Sequence, residues 1–352
     1  MDDELIDKAG SVRAGEELDA ARIADFLRAK DIPEITQFPG GASNLTYLLR
    51  FPERELVLRR PPFGHRAKGA HDMLREARIM TALKPFYPYV PEVVALGEDE
   101  ALLGAPFYVM DRIRGIIPRR NLPDGLELSE ADTRRLCLSV IDRMIELHQV
   151  DIGKAGLAAL GKGEGYVRRQ VEGWSERCRK AATDGVADFE AVMAWLAARM
   201  PAREVAIRVI HNDFRFDNVV LDPDDPFRVI GVLDWELATL GDPLLELGNS
   251  LAYWVEAGDP AGLKAMRRQP THLPGMLTRD EVIAYYGEKT GFSVADFDFY
   301  RICGLFRLAV IIKQIHVRYA LGQTTNPDFA GFGQAANFLD QYCRDLIARS
   351  SL

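Results

Sequence analysis

The chain has 352 residues, 47% of them hydrophobic and 27% charged, with a formal net charge of −8. That length accommodates two lobes, each with its own core, at an ordinary globular balance of residues. An acidic chain argues against nucleic acid as the main partner, because phosphate backbones attract basic surfaces. The four cysteines, Cys137, Cys178, Cys303 and Cys343, are widely separated and form no CxxC pair, which predicts reduced thiols and a cytoplasmic setting. The N-terminus, MDDELIDKAG, is acidic without an apolar stretch, so no secretory signal is expected. The greasiest stretch, Ile302 to Ile312, contains Arg307 and is too short to cross a bilayer. It is expected to be a buried core helix, and a membrane is not an expected partner.

In chain order, Leu18, Ala21, Ile23, Ala24 and Leu27 predict a short helix. From Ile35 the pattern turns to strands. ITQFPGGASNLTYLLRF reads as two apolar runs around a glycine-rich turn, and ELVLRRPP as a third run stopped by a proline pair. DMLREARIMTALK (Asp72 to Lys84) has helical spacing at Met73, Ala77 and Met80, and again at Glu76, Ile79 and Leu83. VPEVVALGEDEALLGAPFYVMDRIRG adds two or three strands with turns at Gly97 and Gly104. Beyond about residue 125, helical spacing dominates, over 129–149, 165–182, 187–200, 244–257, 279–288, 296–320 and 332–348. The predicted class is α+β. A small antiparallel N-terminal lobe with a helical extension covers 1–113, and a mainly helical C-terminal lobe covers 114–352.

One polar loop interrupts the helical lobe. HNDFRFDN, His211 to Asn218, lies between two apolar runs, and NVVLDPDDPFRVIGVLDWE follows. Val219 to Leu221 and Val229 to Leu233 read as a hairpin, which returns Asp234 to the start of its first strand. Asp213, Asn218 and Asp234 are therefore expected to converge, two carboxylates and an amide oxygen in one pocket. Hard oxygen donors of this kind suit magnesium, which shares its sites with water and phosphates. Asp213 precedes the strand, placed to face a substrate hydroxyl as a base. Acidic residues also cluster at ordinary hairpin turns, and Asp222, Asp224 and Asp225 are read that way.

With these residues in place, the chain resembles the aminoglycoside/choline phosphotransferase branch of the protein-kinase-like two-lobe fold. HNDFRFDN matches the H-x-D-x4-N loop, and LDWE stands where kinases have D-F-G. GDPLLELG, Gly241 to Gly248, resembles the G-D-P-x3-D-L element, and the likeness spans roughly residues 35–320. LVLRRPPFG, AHDMLREARIMTAL and FYVMDRIRG resemble the phosphotransferase subgroup that also occurs fused to acyl-CoA dehydrogenases. These 352 residues leave no room for a dehydrogenase beside two lobes, so that chemistry is not expected of them.

The resemblance implies ATP-dependent phosphoryl transfer to a hydroxyl of a small molecule, with ATP and Mg2+ as cofactors. It implies Asp213 as catalytic base, and Asn218 and Asp234 as magnesium ligands. Glu76 would be the helix carboxylate of an ion pair with Arg59, which stands where kinases have lysine. Gly40, Gly41, Ser43 and Asn44 would cover the phosphates. Asp111 to Ile113 would be the hinge that meets adenine through backbone groups. Such chemistry asks mostly for positioning and charge neutralisation.

Three departures accompany the likeness. Arg59 keeps a cation with bidentate geometry but cannot deprotonate. Trp235-Glu236 replaces Phe-Gly, and Glu246 stands where aspartate is usual. None removes the implied base or ligands, so an active kinase is expected over a nucleotide-binding pseudokinase acting as a partner module. The subgroup points to a hydroxyacyl-CoA as acceptor, a CoA thioester. Other small hydroxylated metabolites and aminoglycosides stay open. GLAALGKG, Gly156 to Gly163, nearly spells a P-loop but lacks its Ser/Thr and follows a helix, so it is read as a loop. His211 and His148 are expected in packing roles. Arg112, Arg114, Arg119 and Arg120 form either a solvated face or a site for substrate phosphates.

Overall fold

Alternation along the strands decides how the N-terminal lobe is built. In the computed structural model, which describes residues 8–39, 44–63, 72–324 and 326–352, β1 (Glu34–Gln37), β2 (Leu45–Arg50) and β3 (Glu55–Arg60) run antiparallel. Helix α1 (Ala20–Phe26) precedes them, and α2 (Met73–Leu83), β4 (Val93–Gly97), α3 (Glu100–Leu103) and β5 (Phe107–Asp111) follow. The five strands form one antiparallel sheet in the order β1-β2-β3-β5-β4. Successive residues of β3 serve opposite faces. Leu56 and Leu58 join Ile23, Leu45, Tyr47 and Phe107 beneath α1, while Val57 turns to Met73, Ala77 and Met80 of α2. Both faces are therefore covered, and β3 is almost wholly buried.

The helical lobe contains α4 (Glu130–His148), α5 (Tyr166–Lys180) and α6 (Glu190–Arg199), then a strand-rich middle. There β6 (Arg208–Ile210) pairs with β9 (Thr239–Gly241), and β7 (Val219–Leu221) pairs with β8 (Val229–Val232). Helices α7 (Pro243–Ala252), α8 (Ala261–Ala265), α9 (Arg279–Thr290), α10 (Phe297–Ala320) and α11 (Phe332–Arg349) complete it. Several helix starts carry side-chain caps. Asp72, Ser129 and Asp242 each accept amides of the first turn, and Thr278 with Glu281 forms a capping box. The apolar run from Ile302 lies inside α10 and is buried. Gly248 of α7 and Gly304 of α10 let these helices touch. A Cβ at Gly304 would sit 2.2 Å from the Gly248 carbonyl oxygen.

Two expectations change. The lobes do not each own a core, because the α2 face of the sheet continues through Tyr87 and Trp235 into the helical lobe. Only the α1 face is a separate cluster. Helix α7 stops at Ala252 rather than near 257, since Trp254 turns inward to donate its ring N–H to the Leu277 carbonyl. Helices α3 and α8, of four and five residues, are too short to show a period in sequence. The four cysteines are free and buried. No helix among the described residues is long and apolar enough to cross a membrane.

Candidate active site

The loop His211–Asn218 leaves β6 and enters β7 through a short 3-10 turn at Phe216–Asn218. The β7–β8 hairpin brings the Leu233 amide to the Asn218 carbonyl, 2.8 Å away, so Asp234 emerges beside Asn218. Asn218 Nδ2 donates to the Asp213 carbonyl at 2.8 Å and to its carboxylate at 3.2 Å. Arg215 contacts Asp213 Oδ2 at 3.2 Å and Asp217 Oδ1 at 3.2 Å. Burial opposes the charge of Arg215, but Asp213 and Asp217 outweigh it and hold the guanidinium above its ordinary value. Burial lifts the Asp217 carboxyl upward, with Arg215 pulling the other way. Asn212 and Asp234 adopt left-handed backbone, at φ 68 and 70. Two of the four non-glycine residues with positive φ among those described thus lie here, a local cost that Asn and Asp tolerate best.

From the other lobe, Arg59 reaches in. Its guanidinium contacts Glu76 Oε1 at 2.6 Å and Asp234 Oδ1 at 3.0 Å, bridging β3, α2 and the turn after β8. Burial works against the Arg59 charge, but Glu76, Tyr108 and Asp234 prevail and hold it well above the ordinary arginine value. Burial raises the Glu76 carboxyl above the usual carboxylate range, and Arg59 offsets this only in part. The turn itself is tied to the sheet and to α2. Asn44 Nδ2 donates to Glu236 Oε2 at 2.7 Å, and Arg75 donates to the carbonyls of Glu236 and Ala238. Gly40, Gly41 and Ser43 lie outside the described residues.

A cleft of about 210 Å³ connects these groups. Arg59, Asp111, Ile113, Asn218 and Asp234 line it, with Phe38, Thr46, Val57, Met110 and Leu233 supplying apolar walls. Glu76 stands behind Arg59, and Asp213 behind Asn218. Gly115 lets the segment after β5 press on the hairpin, because a Cβ there would meet the Leu221 carbonyl oxygen at 2.2 Å. Of the basic residues past β5, Arg112 and Arg119 line the cleft, Arg112 paired with Glu55 at 2.7 Å, while Arg120 is not among the lining residues and its carbonyl accepts from Arg267.

A hard cation can be tested against these donors. Asn218 spends its Nδ2 on Asp213, which leaves its carbonyl oxygen as a donor, and Asp234 offers a second carboxylate oxygen beside the one held by Arg59. Among the described residues no group of three His, Cys, Asp or Glu could hold a metal by protein ligands alone. One amide and one carboxylate fit magnesium, which takes its remaining ligands from water and phosphate.

Behind the loop lies a network that sequence reasoning missed. The buried carboxylate of Glu246 on α7 accepts the amides of His211 and Asn212, and His148 Nε2 at 2.6 Å. His148 Nδ1 in turn meets the Tyr286 hydroxyl at 2.7 Å. Burial pushes the Glu246 carboxyl up, but the hydrogen bonds from His148 and the Asn212 amide outweigh it and hold it below the usual carboxylate range. His211 packs on Trp235 with ring centroids 4.7 Å apart and donates through Nε2 to the Leu233 carbonyl. Both histidines thus sit in packing positions. The sequence held one signal for the network, a glutamate in the first turn of the helix that GDPLLELG opens, but nothing in it paired Glu246 with His148. Arg215 was legible only as the middle of the acid–Arg–acid alternation Asp213, Arg215, Asp217.

A family model described as phosphotransferase enzyme family matches residues 34–281. The chain is 35% identical over 318 residues to acyl-CoA dehydrogenase family member 10 of Mus musculus, covering 90% of this chain and 29% of that protein. The chain thus spans less than a third of that relative's length. A solved Ralstonia eutropha structure assigned to the aminoglycoside phosphotransferases superposes with a TM-score of 0.81 at 26% identity, covering 96% of this chain and 100% of that one. A mutant of aminoglycoside phosphotransferase APH(4)-Ia, in ternary complex with ADP and hygromycin B, shares the fold with a TM-score of 0.59 at 14% identity, covering 95% and 99%.

Proposed function

The chain belongs to the phosphotransferase enzyme family, and on that premise we propose that it moves the γ-phosphate of ATP to a hydroxyl of a small molecule. The observation that carries this reading is the convergence of Asp213, Asn218 and Asp234 on one side of a cleft whose other side presents Arg59 backed by Glu76. ADP in the APH(4)-Ia complex supports ATP as the donor. Similarity over 90% of the chain to a protein named for acyl-CoA dehydrogenation supports a hydroxyacyl-CoA as acceptor.

In this reading Asp213 takes the proton of the acceptor hydroxyl while its oxygen forms a bond to the γ-phosphorus. The bond to the β-phosphate oxygen breaks, and ADP leaves with that electron pair. Asn218 and Arg215 hold the Asp213 carboxylate in one orientation. Arg59 fixes Asp234 and carries positive charge to the phosphate side of the cleft. Asp111 and Ile113 offer backbone groups to the adenine edge. Asn218 and Asp234 would hold magnesium, which when bound neutralises phosphate charge.

The test is phosphate transfer from ATP by purified protein across hydroxyacyl-CoAs, amino alcohols and aminoglycosides, with Asp234→Ala alongside. Transfer that needs magnesium and vanishes in Asp234→Ala is expected. A protein that does not bind AMP-PNP in calorimetry is not a kinase, and the reading fails.

A further inference from the structure

A second groove, of about 630 Å³, lies between α5, α10 and β9, and shares no lining residue with the cleft. It reaches the loop at Asn212, one residue before Asp213, and the turn after Asp234 at Leu237. Asn212 forms part of its wall because Tyr166 donates to Asn212 Oδ1 at 2.9 Å and Asn212 Nδ2 donates to the Leu237 carbonyl at 3.1 Å. An acceptor seated here would approach the proposed base from outside the nucleotide site.

The charge of this groove runs against that of the chain. Its charged members among the described lining residues are Lys162, Arg169, Arg177 and Arg307, with no carboxylate, on a protein of net charge −8. None of these cations forms an ion pair within 4.0 Å among the described residues, and Glu204 and Glu176 act on Arg169 and Arg177 only from farther away. Arg169 is fixed by neutral acceptors, the carbonyls of Glu164 at 2.6 Å and Gly163 at 2.9 Å. Arg177 and Arg307 flank the Trp174 ring, at 4.5 and 5.6 Å from its centroid. The same helix α5 treats its other cations differently. Arg168 pairs with Glu172, Arg179 with Glu190 and Lys180 with Glu176. So the cations that face the groove lack ion-pair partners while those facing elsewhere are matched. Planar guanidinium groups, held in place and not neutralised, are the recognition chemistry of phosphate.

We propose that this groove takes the phosphate-bearing end of an anionic acceptor, whose hydroxyl then reaches Asp213 past Asn212. The proposal rests on the kinase reading and deepens it, since it names an acceptor class that carries its own phosphate. A polycation such as an aminoglycoside would meet four like charges there and is disfavoured. Two sources share the required chemistry, a CoA thioester and a short phosphorylated alcohol.

The experiment uses the full chain with AMP-PNP and magnesium added in excess, so that the cleft is filled, and titrates coenzyme A, glycerol 3-phosphate and kanamycin separately. Coenzyme A is expected to bind, more weakly as salt rises, because exposed charges are screened within about 8 Å at physiological ionic strength. Arg177 is exposed, so its replacement does not threaten folding. Arg177→Gln should weaken coenzyme A roughly tenfold, the size of one lost charge-assisted hydrogen bond, and Arg177→Lys should restore most of it. AMP-PNP affinity should not move. Glycerol 3-phosphate binding that responds in the same way supports the groove with a short acceptor. Coenzyme A and glycerol 3-phosphate affinities both indifferent to Arg177→Gln, or kanamycin binding more tightly than either, would overturn the proposal. Absence of AMP-PNP binding would sink the kinase reading by itself, and the Arg177 variants would still decide the groove.

Discussion

The two sides of the His211–Asn218 loop are built on opposite principles. In front, Asp213 and Asp234 keep 19% and 35% of their side chains exposed, and their contacts are long charged pairs between lobes or within a turn. Behind, Glu246 and His148 are at most 1% exposed, and the Glu246 oxygens are taken by two amides and an imidazole. The front holds charge where a ligand can reach it, at the cost of left-handed backbone at Asn212 and Asp234. The back holds the Asn212 end of that backbone through the His211 and Asn212 amides. A positioned charge in a half-open cleft therefore depends on a satisfied one buried behind it.

If the front is chemistry and the back is scaffold, mutations should separate them. The largest expected effect is on turnover. Asp213→Asn should lower phosphate transfer about 10²–10⁴-fold, the usual general-base contribution, with melting temperature and AMP-PNP affinity nearly unchanged. Unaltered turnover would erase the distinction between the two sides.

Glu246→Ala should do the reverse in kind. It leaves His148 and two loop amides without their acceptor, and breaking such a buried pair costs about 3–5 kcal/mol of stability in urea unfolding. Glu246→Gln, which keeps the shape, sharpens the point through pH. The Glu246 carboxyl is held below its unfolded value, so its contribution is present above the ordinary carboxylate range and disappears as pH falls through the folded value. Wild-type stability should thus fall more steeply than that of Glu246→Gln once pH drops below about 4.3. Parallel pH curves would mean that the carboxylate is not charged in the folded state.

How much of this was legible beforehand follows the same division. Period-based elements, from the Met73–Leu83 helix to the long apolar helix around Ile302, were readable because each buries a repeating stripe. The front residues were readable because a hairpin converts spacing into proximity, as it does for Asn218 and Asp234. The back was not, because Glu246, His148 and Tyr286 lie on three helices far apart in sequence, and no local pattern records which helices meet. The outer groove escaped for a related reason. Lys162, Arg169, Arg177 and Arg307 look like ordinary surface cations until packing shows which ones lack an ion pair.

Arg59 belongs to both sides, since it touches the front at Asp234 and the buried Glu76 behind it. Arg59→Met should therefore lose stability and nucleotide affinity together. The stability loss is expected at about 3 kcal/mol, the low end for a broken buried pair, because Glu76 can take up a proton instead. Arg59→Lys retains a cation but only one of the two bridges, so it should fall between wild type and methionine in AMP-PNP affinity. Equal behaviour of the two variants would show that charge at this position is immaterial.

The smallest expected effect probes the far end of the scaffold. Tyr286 gives its hydroxyl to His148 Nδ1, which fixes the tautomer that donates Nε2–H to Glu246. Tyr286→Phe keeps the ring packed on His148, at 5.8 Å between centroids, and removes only that hydroxyl. One unmet buried acceptor costs about 1 kcal/mol, so the melting temperature should drop slightly while transfer at neutral pH stays within about twofold. The imidazole is now free to place its proton on either nitrogen, and the Nε2–H bond to Glu246 forms in a smaller share of molecules. That change should appear in the nitrogen NMR shifts of His148, with the Nδ1–H tautomer newly populated. If transfer instead falls as far as in Asp213→Asn, the buried network reaches into the chemistry itself, and the division between front and back is wrong.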